Sequence, residues 1–135
     1  MFTALQAASP VPVEYKEIIG SALGYFDPQE NRIAIKPGMS EAQTIKTVIH
    51  EIAHAKLHNK AEQKQRKDLT RNAEEVEAEA VAFAVASHFG IDASEYSFGY
   101  IAGWSSGQEM TELKGSLERI RVTADEIITE VEKRV

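Results

Sequence analysis

Between residues 41 and 58 the apolar positions Ile45, Val48, Ile49, Ile52, Ala53 and Leu57 recur every third or fourth residue, the spacing of one buried face on an α-helix. Ser40, with Gln43 three positions on, supplies a capping-box start. A second helical run follows Asn72, where Glu75 repeats the capping pattern; Val76, Ala80, Phe83, Ala84 and Ser87 mark its apolar face, and it ends before Gly90. Its many alanines predict close packing against the first helix. Near the C-terminus Met110, Leu113, Leu117, Ile120, Ala124, Ile127 and Val131 alternate in steps of three and four, so one narrow seam runs along a helix of about 20 residues. That seam predicts a helix docked on its own domain, with a dimer as the alternative.

The first 40 residues have a different rhythm. Phe2, Leu5 and Ala8 fit a short helix, ended by Ser9-Pro10-Val11-Pro12 because proline biases its predecessor towards extended geometry. Three short extended runs follow, over residues 13–18, 22–26 and 32–36, separated by Gly20-Ser21 and by the polar turn Asp27-Pro28-Gln29-Glu30-Asn31, and closed by Pro37-Gly38. In this order they predict a three-stranded antiparallel meander. The polar stretch from Asn59 to Arg71 reads as a helix end and solvated connector, and residues 91–106 as a short helix with loops. The expectation is an α+β fold: a small antiparallel sheet, two central helices and a helical C-terminal cap.

Composition narrows the partners. With 135 residues, 43% hydrophobic and 27% charged, the chain fits one domain spanning residues 1–135. A net charge of -6, from 21 acidic against 15 basic residues, argues against direct nucleic-acid binding. No cysteine is present, so a metal would have to be held by histidine and carboxylate. Neither a signal peptide nor a membrane span is evident, which makes a soluble cytoplasmic protein the default expectation and leaves oligomeric state open.

The first long helix carries His50-Glu51-Ile52-Ala53-His54, a His-Glu-x-x-His motif. Positions i and i+4 share a helix face, so His50 and His54 can present two imidazoles to one ion, with Glu51 beside them as general base for a metal-activated water. The expected ion is Zn²⁺ and the expected substrate a protein or peptide. Thr47, one turn before Glu51, could assist locally. A catalytic zinc site also needs a third ligand and an open position. The candidates are Glu74, Glu75, Glu77 and Glu79. Phasing the second helix on Ala73, Val76, Ala80 and Ala84 puts Glu77 on the buried side, and an ionised buried carboxylate needs a strong partner. Glu77 is therefore the expected ligand and Glu79 the runner-up, while Glu74 and Glu75 read as a solvated first turn complementing the helix dipole. His58 and His88, near helix ends, read as caps or surface residues. Tyr25, Tyr96, Tyr100 and Trp104 could wall a substrate groove, although such spacing favours core.

The segments 50–58 and 76–84 resemble the ImmA/IrrE family of zincin-like metallopeptidases. Within that group, Ser9-Pro10-Val11-Pro12, Pro37-Gly38-Met39-Ser40 and Phe98-Gly99-Tyr100-Ile101-Ala102-Gly103-Trp104 resemble the peptidase domain of ArdC-type antirestriction and polyvalent proteins of phages and conjugative elements. The resemblance implies a zincin-like fold, peptide-bond hydrolysis, a mobile-element setting and a domain that can be part of a longer polypeptide. The family pattern of glutamate, any residue, then Glu-Ala-Asn, laid on Glu77, implies that Glu77 is the third ligand and puts Val81 at the asparagine position. A different reading keeps the metal as a structural pin in a non-enzymatic antirestriction or interaction module.

Overall fold

The computed structural model describes residues 1–66, 69–91 and 110–135. Along the chain run α1 (Phe2–Ala8), β1 (Val13–Tyr15), β2 (Gly24–Asp27), β3 (Arg32–Ile35), α2 (Glu41–Leu57), α3 (Lys60–Gln65), α4 (Arg71–His88) and α5 (Met110–Glu132). Tyr96, Tyr100, Trp104 and the helix expected around them lie outside the described residues.

The architecture is α+β, but the sheet is mixed rather than the expected antiparallel meander. Its order is β1-β3-β2, with β1 parallel to β3 and β2 antiparallel to it. The meander fails at its first connection. β1 stops at Tyr15, and residues 16–23 form a long crossing in which Ile19 is fully exposed, so β1 and β2 are not joined by a tight turn and β3 enters between them. The second turn does make a hairpin. Asp27 Oδ1 accepts hydrogen bonds from the backbone N–H of Gln29 and Glu30, and Asn31 takes the left-handed conformation that asparagine tolerates. Ile33, Ala34 and Ile35 are buried, as a central strand requires.

α2 begins as its sequence signals, with Ser40 Oγ accepting from the Gln43 N–H at 3.1 Å. α4 starts earlier than expected, because its N-cap is Thr70, whose hydroxyl accepts from Ala73 N–H, and not Asn72. Its end is closed by Gly90 in the left-handed region, with Ile91 N–H bonded back to the Ala86 carbonyl. The buried face of α4 is also rotated from the expected one. Val76 is buried as expected, and Ala78, Val81, Ala82, Val85 and Ala86 join it, whereas Ala80, Phe83 and Ala84 are partly exposed and Ser87 is exposed. The alanines let α4 lie closely along α2, where Ile49, Ile52 and Ala53 are fully buried.

The expected connector holds a further helix, α3, capped by Asn59 Oδ1 on the Glu62 N–H. α5 packs against α1 and α4 through Ala124, Ile127 and Val131, so its seam is used within the chain. Leu117 leaves that seam at 54% exposure, and Ser116 and Thr123 are buried in its place. Among the described residues no helix is long and apolar enough to cross a membrane.

Candidate metal centre

The candidate site forms where the middle of α2 meets the first turns of α4 under the edge strand β2. His50 and His54, one turn apart, turn their Nε2 atoms towards each other at 3.2 Å. Glu75 reaches across from α4, with Oε2 at 3.3 Å from His50 Nε2 and Oε1 at 3.2 Å from His54 Nε2. These three residues form a compact donor triangle. In a tetrahedral zinc site with bonds of about 2.0–2.1 Å, neighbouring donor atoms lie about 3.3–3.4 Å apart. The two imidazole nitrogens, 3.2 Å apart, are close to that spacing and each has its own Glu75 oxygen at 3.2 to 3.3 Å, so the donor set fits zinc in chemistry and gathers at one point.

His50 has a second carboxylate neighbour, with Nδ1 at 3.2 Å from Glu79 Oε2. Burial opposes charge on His50, but the hydrogen bonds it donates to Glu75 and Glu79 and the nearby Glu51 carboxylate outweigh it and raise its pKa to about 10. Without metal this imidazole therefore carries a proton between two carboxylates, and Glu75 is held well below the usual carboxylate range by its bonds to His50 and His54.

Glu77 is elsewhere. Its side chain is fully buried, and its carboxylate accepts from His58 Nε2 at 2.9 Å, from Arg66 Nη1 and Nη2 at 2.8 and 2.6 Å, and from Ser116 Oγ at 2.7 Å. Arg119 Nε adds a longer ion pair at 3.7 Å. Burial pushes against its charge, but the bonds from His58, Arg66 and Ser116 prevail and hold its pKa down to about 2. The structure thus does not bring Glu77 to the His50–His54 pair. The strong partner that its burial demands is Arg66 together with His58.

His58 is the C-cap residue of α2, as one of its two expected roles has it, but it is buried and not on the surface. Its Nδ1 lies 2.8 Å from His54 Nδ1. His54, His58 and Glu74 form a second group with donor atoms close together, but 2.8 Å is a hydrogen-bond length, too short for two ligands of one tetrahedral zinc, and His58 Nε2 is engaged by Glu77. His88 fits its expected surface role, paired with Glu132 on α5.

Glu51 stands beside the triangle, nearly buried, and accepts a hydrogen bond from the Phe26 backbone of β2. Burial pushes its pKa up, while His50 and His54 pull against that rise. Two cavities open on either side of it. One, of 400 Å³, is lined by Tyr25, Phe26, Arg71 and the histidines. The other, of 270 Å³, is lined by Leu23, Gln43, Lys46, Thr47 and Glu79. Gly24 borders both, and a Cβ there would sit 2.8 Å from Thr47 Cγ2 and 3.0 Å from the Ala34 carbonyl oxygen, so only glycine lets β2 approach α2 this closely. The Thr47 hydroxyl is donated back to the Gln43 carbonyl at 2.8 Å.

Glu75 is the residue that sequence reasoning set aside. A signal for it exists, since glutamate-any-Glu-Ala occurs twice in overlapping register, at Glu75-Val76-Glu77-Ala78 and at Glu77-Ala78-Glu79-Ala80. The earlier register puts Glu75 first.

Residues 15–97 match a peptidase family described as the IrrE N-terminal-like domain. The chain is also 35% identical over 123 residues to an uncharacterized protein of Bacillus anthracis, an alignment covering 90% of this chain and 20% of that protein. It therefore spans a fifth of the length of that relative. No solved structure matches.

Proposed function

Because this chain belongs to the peptidase family of the IrrE N-terminal-like domain, we propose that it is a zinc-dependent peptidase in which His50, His54 and Glu75 hold the metal and Glu51 is the general base. The observation that carries this reading is the convergence of His50 Nε2 and His54 Nε2, 3.2 Å apart, on the Glu75 carboxylate, whose Oε2 lies 3.3 Å from the first and whose Oε1 lies 3.2 Å from the second. Zinc supplies Lewis acidity, bringing the pKa of a bound water to about 7 and polarising the scissile carbonyl.

The chain's own residues do the rest. Glu51, with its carboxylate steadied by the Phe26 backbone N–H and its pKa raised by burial, takes the proton of the attacking water and delivers it to the leaving amine. β2 is an edge strand beside Glu51, so an extended peptide can lie along it with side chains entering the two flanking cavities. A structural metal pin in a non-enzymatic module would call for a fourth protein ligand. Three donors converge here among the described residues, and cavities reach them from both sides, which favours hydrolysis.

The test compares wild type with Glu51→Gln on a pool of random peptides, with new termini read by mass spectrometry and zinc measured in the same samples. Both proteins should hold one zinc per chain and only wild type should cut. Undiminished cleavage by Glu51→Gln, or a wild type that takes up no zinc, would overturn the reading.

A further inference from the structure

Resting on that reading of the metal site, we infer that His58 and Glu77 are positioning residues, a buried hydrogen-bonded chain that fixes which nitrogen of His54 is free to bind zinc. Each link follows from the one before. His54 Nε2 faces His50 Nε2 and Glu75 Oε1, so this atom must offer a lone pair, and the single proton of the neutral ring belongs on Nδ1. That Nδ1–H points at His58 Nδ1, 2.8 Å away, which must then be an acceptor. The proton of His58 consequently sits on Nε2, where it is donated to Glu77 Oε1 at 2.9 Å. The chain ends on a fixed anion, because the Arg66 fork grips both oxygens of Glu77.

With both histidines of the chain in their other tautomers, His54 Nε2 would carry the proton and the bare lone pair of His58 Nε2 would face Glu77 Oε1 at 2.9 Å. The carboxylate at the far end therefore disfavours the zinc-incompetent form. His50 has its own version of this arrangement, one link long, in Glu79 beside Nδ1. Both zinc-facing imidazoles thus have a carboxylate behind them, directly for His50 and through His58 for His54.

The competing account is that Glu77 only ties helices together, since its partners lie at the end of α2, at the end of α3 and on α5. Zinc affinity and tautomer state separate the two. His58→Leu removes the acceptor for His54 Nδ1–H and should weaken zinc binding, measured by competition with a fluorescent chelator, by about 10- to 100-fold. His58→Asn, whose Oδ1 can take the place of the Nδ1 acceptor, should recover most of that loss. Ser116→Ala removes a bond to Glu77 without touching the chain, so it should lower the melting temperature and leave zinc affinity within about twofold.

In the zinc-loaded wild type, long-range ¹H–¹⁵N correlation of labelled histidines should show His54 protonated on Nδ1 and His58 on Nε2, a readout that needs no variant to fold. His58 protonated on Nδ1, or His58→Leu with unchanged affinity, or Ser116→Ala losing as much affinity as His58→Leu, would overturn the inference. Glu75→Ala distinguishes failure of the underlying reading: wild-type zinc affinity in that variant would place the metal elsewhere and remove this inference with it.

Discussion

Replacing Glu77 by alanine should damage the fold far more than replacing Glu75. Glu77 is fully buried and receives both arms of Arg66, the imidazole of His58 and the hydroxyl of Ser116. Removing one partner of a buried ion pair costs about 3–5 kcal/mol, because the other charge is left unpaired out of water. Against a total stability of about 5–15 kcal/mol, that brings the chain close to unfolding. For a domain of this size it lowers the melting temperature by about 10–20 °C. Glu75 is 39% exposed, and its loss leaves His50 paired with Glu79, so Glu75→Ala should cost no more than about 1 kcal/mol once solvent screening is allowed for. The assay is urea denaturation of both variants and wild type with a chelator present, so that bound metal does not add to the apparent stability. Midpoints should fall in the order wild type, Glu75→Ala, Glu77→Ala with similar slopes. A Glu77→Ala protein within about 1 kcal/mol of wild type would refute the account of Glu77 as the anchor of a buried charge network.

Acid should act on the same residue. The pKa of Glu77 is held at about 2 against an ordinary 4.5, so its contribution is complete above about pH 4.5 and is lost as pH falls towards 2; a shift of this size is worth about 3 kcal/mol. Metal-free stability that stays flat across that window would contradict it. Zinc binding near pH 7.5 should release at least about one proton, because His50, with its pKa raised to about 10, must lose its charge to bind; calorimetry in buffers of different ionisation enthalpy measures this, and zero release would count against the site. Gly24→Val drives a side chain into Thr47 and the Ala34 carbonyl, so it should cost about 1–3 kcal/mol and reduce peptidase activity more than zinc affinity, since it displaces the strand that steadies Glu51; wild-type activity would show that β2 has no such part.

Helices α1, α2, α4 and α5 and the His50–His54 pair were legible because their signals are local. Ser40, the apolar repeat along α2 and the i, i+4 spacing of the histidines determine a helix and a face without reference to the rest of the chain. Strand order was not legible, since the parallel pairing of β1 with β3 depends on where the crossing over residues 16–23 leads and not on the alternation within each strand. The third donor we propose, Glu75, is hidden in the sequence by helix phase. Taking Ala80 and Ala84 as the core stripe turned Glu77 inward and left Glu75 and Glu79 on a flank with Ala82 and Ala86. Ala82 and Ala86 are fully buried, so that flank is part of the packed face, and Glu75 and Glu79 both reach His50. The burial argument for Glu77 was sound in its premise. A buried carboxylate does need a strong partner, but Arg66, eleven residues upstream at the C-cap of a helix that the sequence did not signal, supplies it.

The most direct measurement is anomalous diffraction at the zinc edge from crystals of the zinc-loaded chain. The account predicts one peak within about 2.0–2.2 Å of His50 Nε2, His54 Nε2 and a Glu75 oxygen, with Glu77 still bonded to His58 and Arg66. A peak bound by Glu77, or lying between His54, His58 and Glu74, would contradict it.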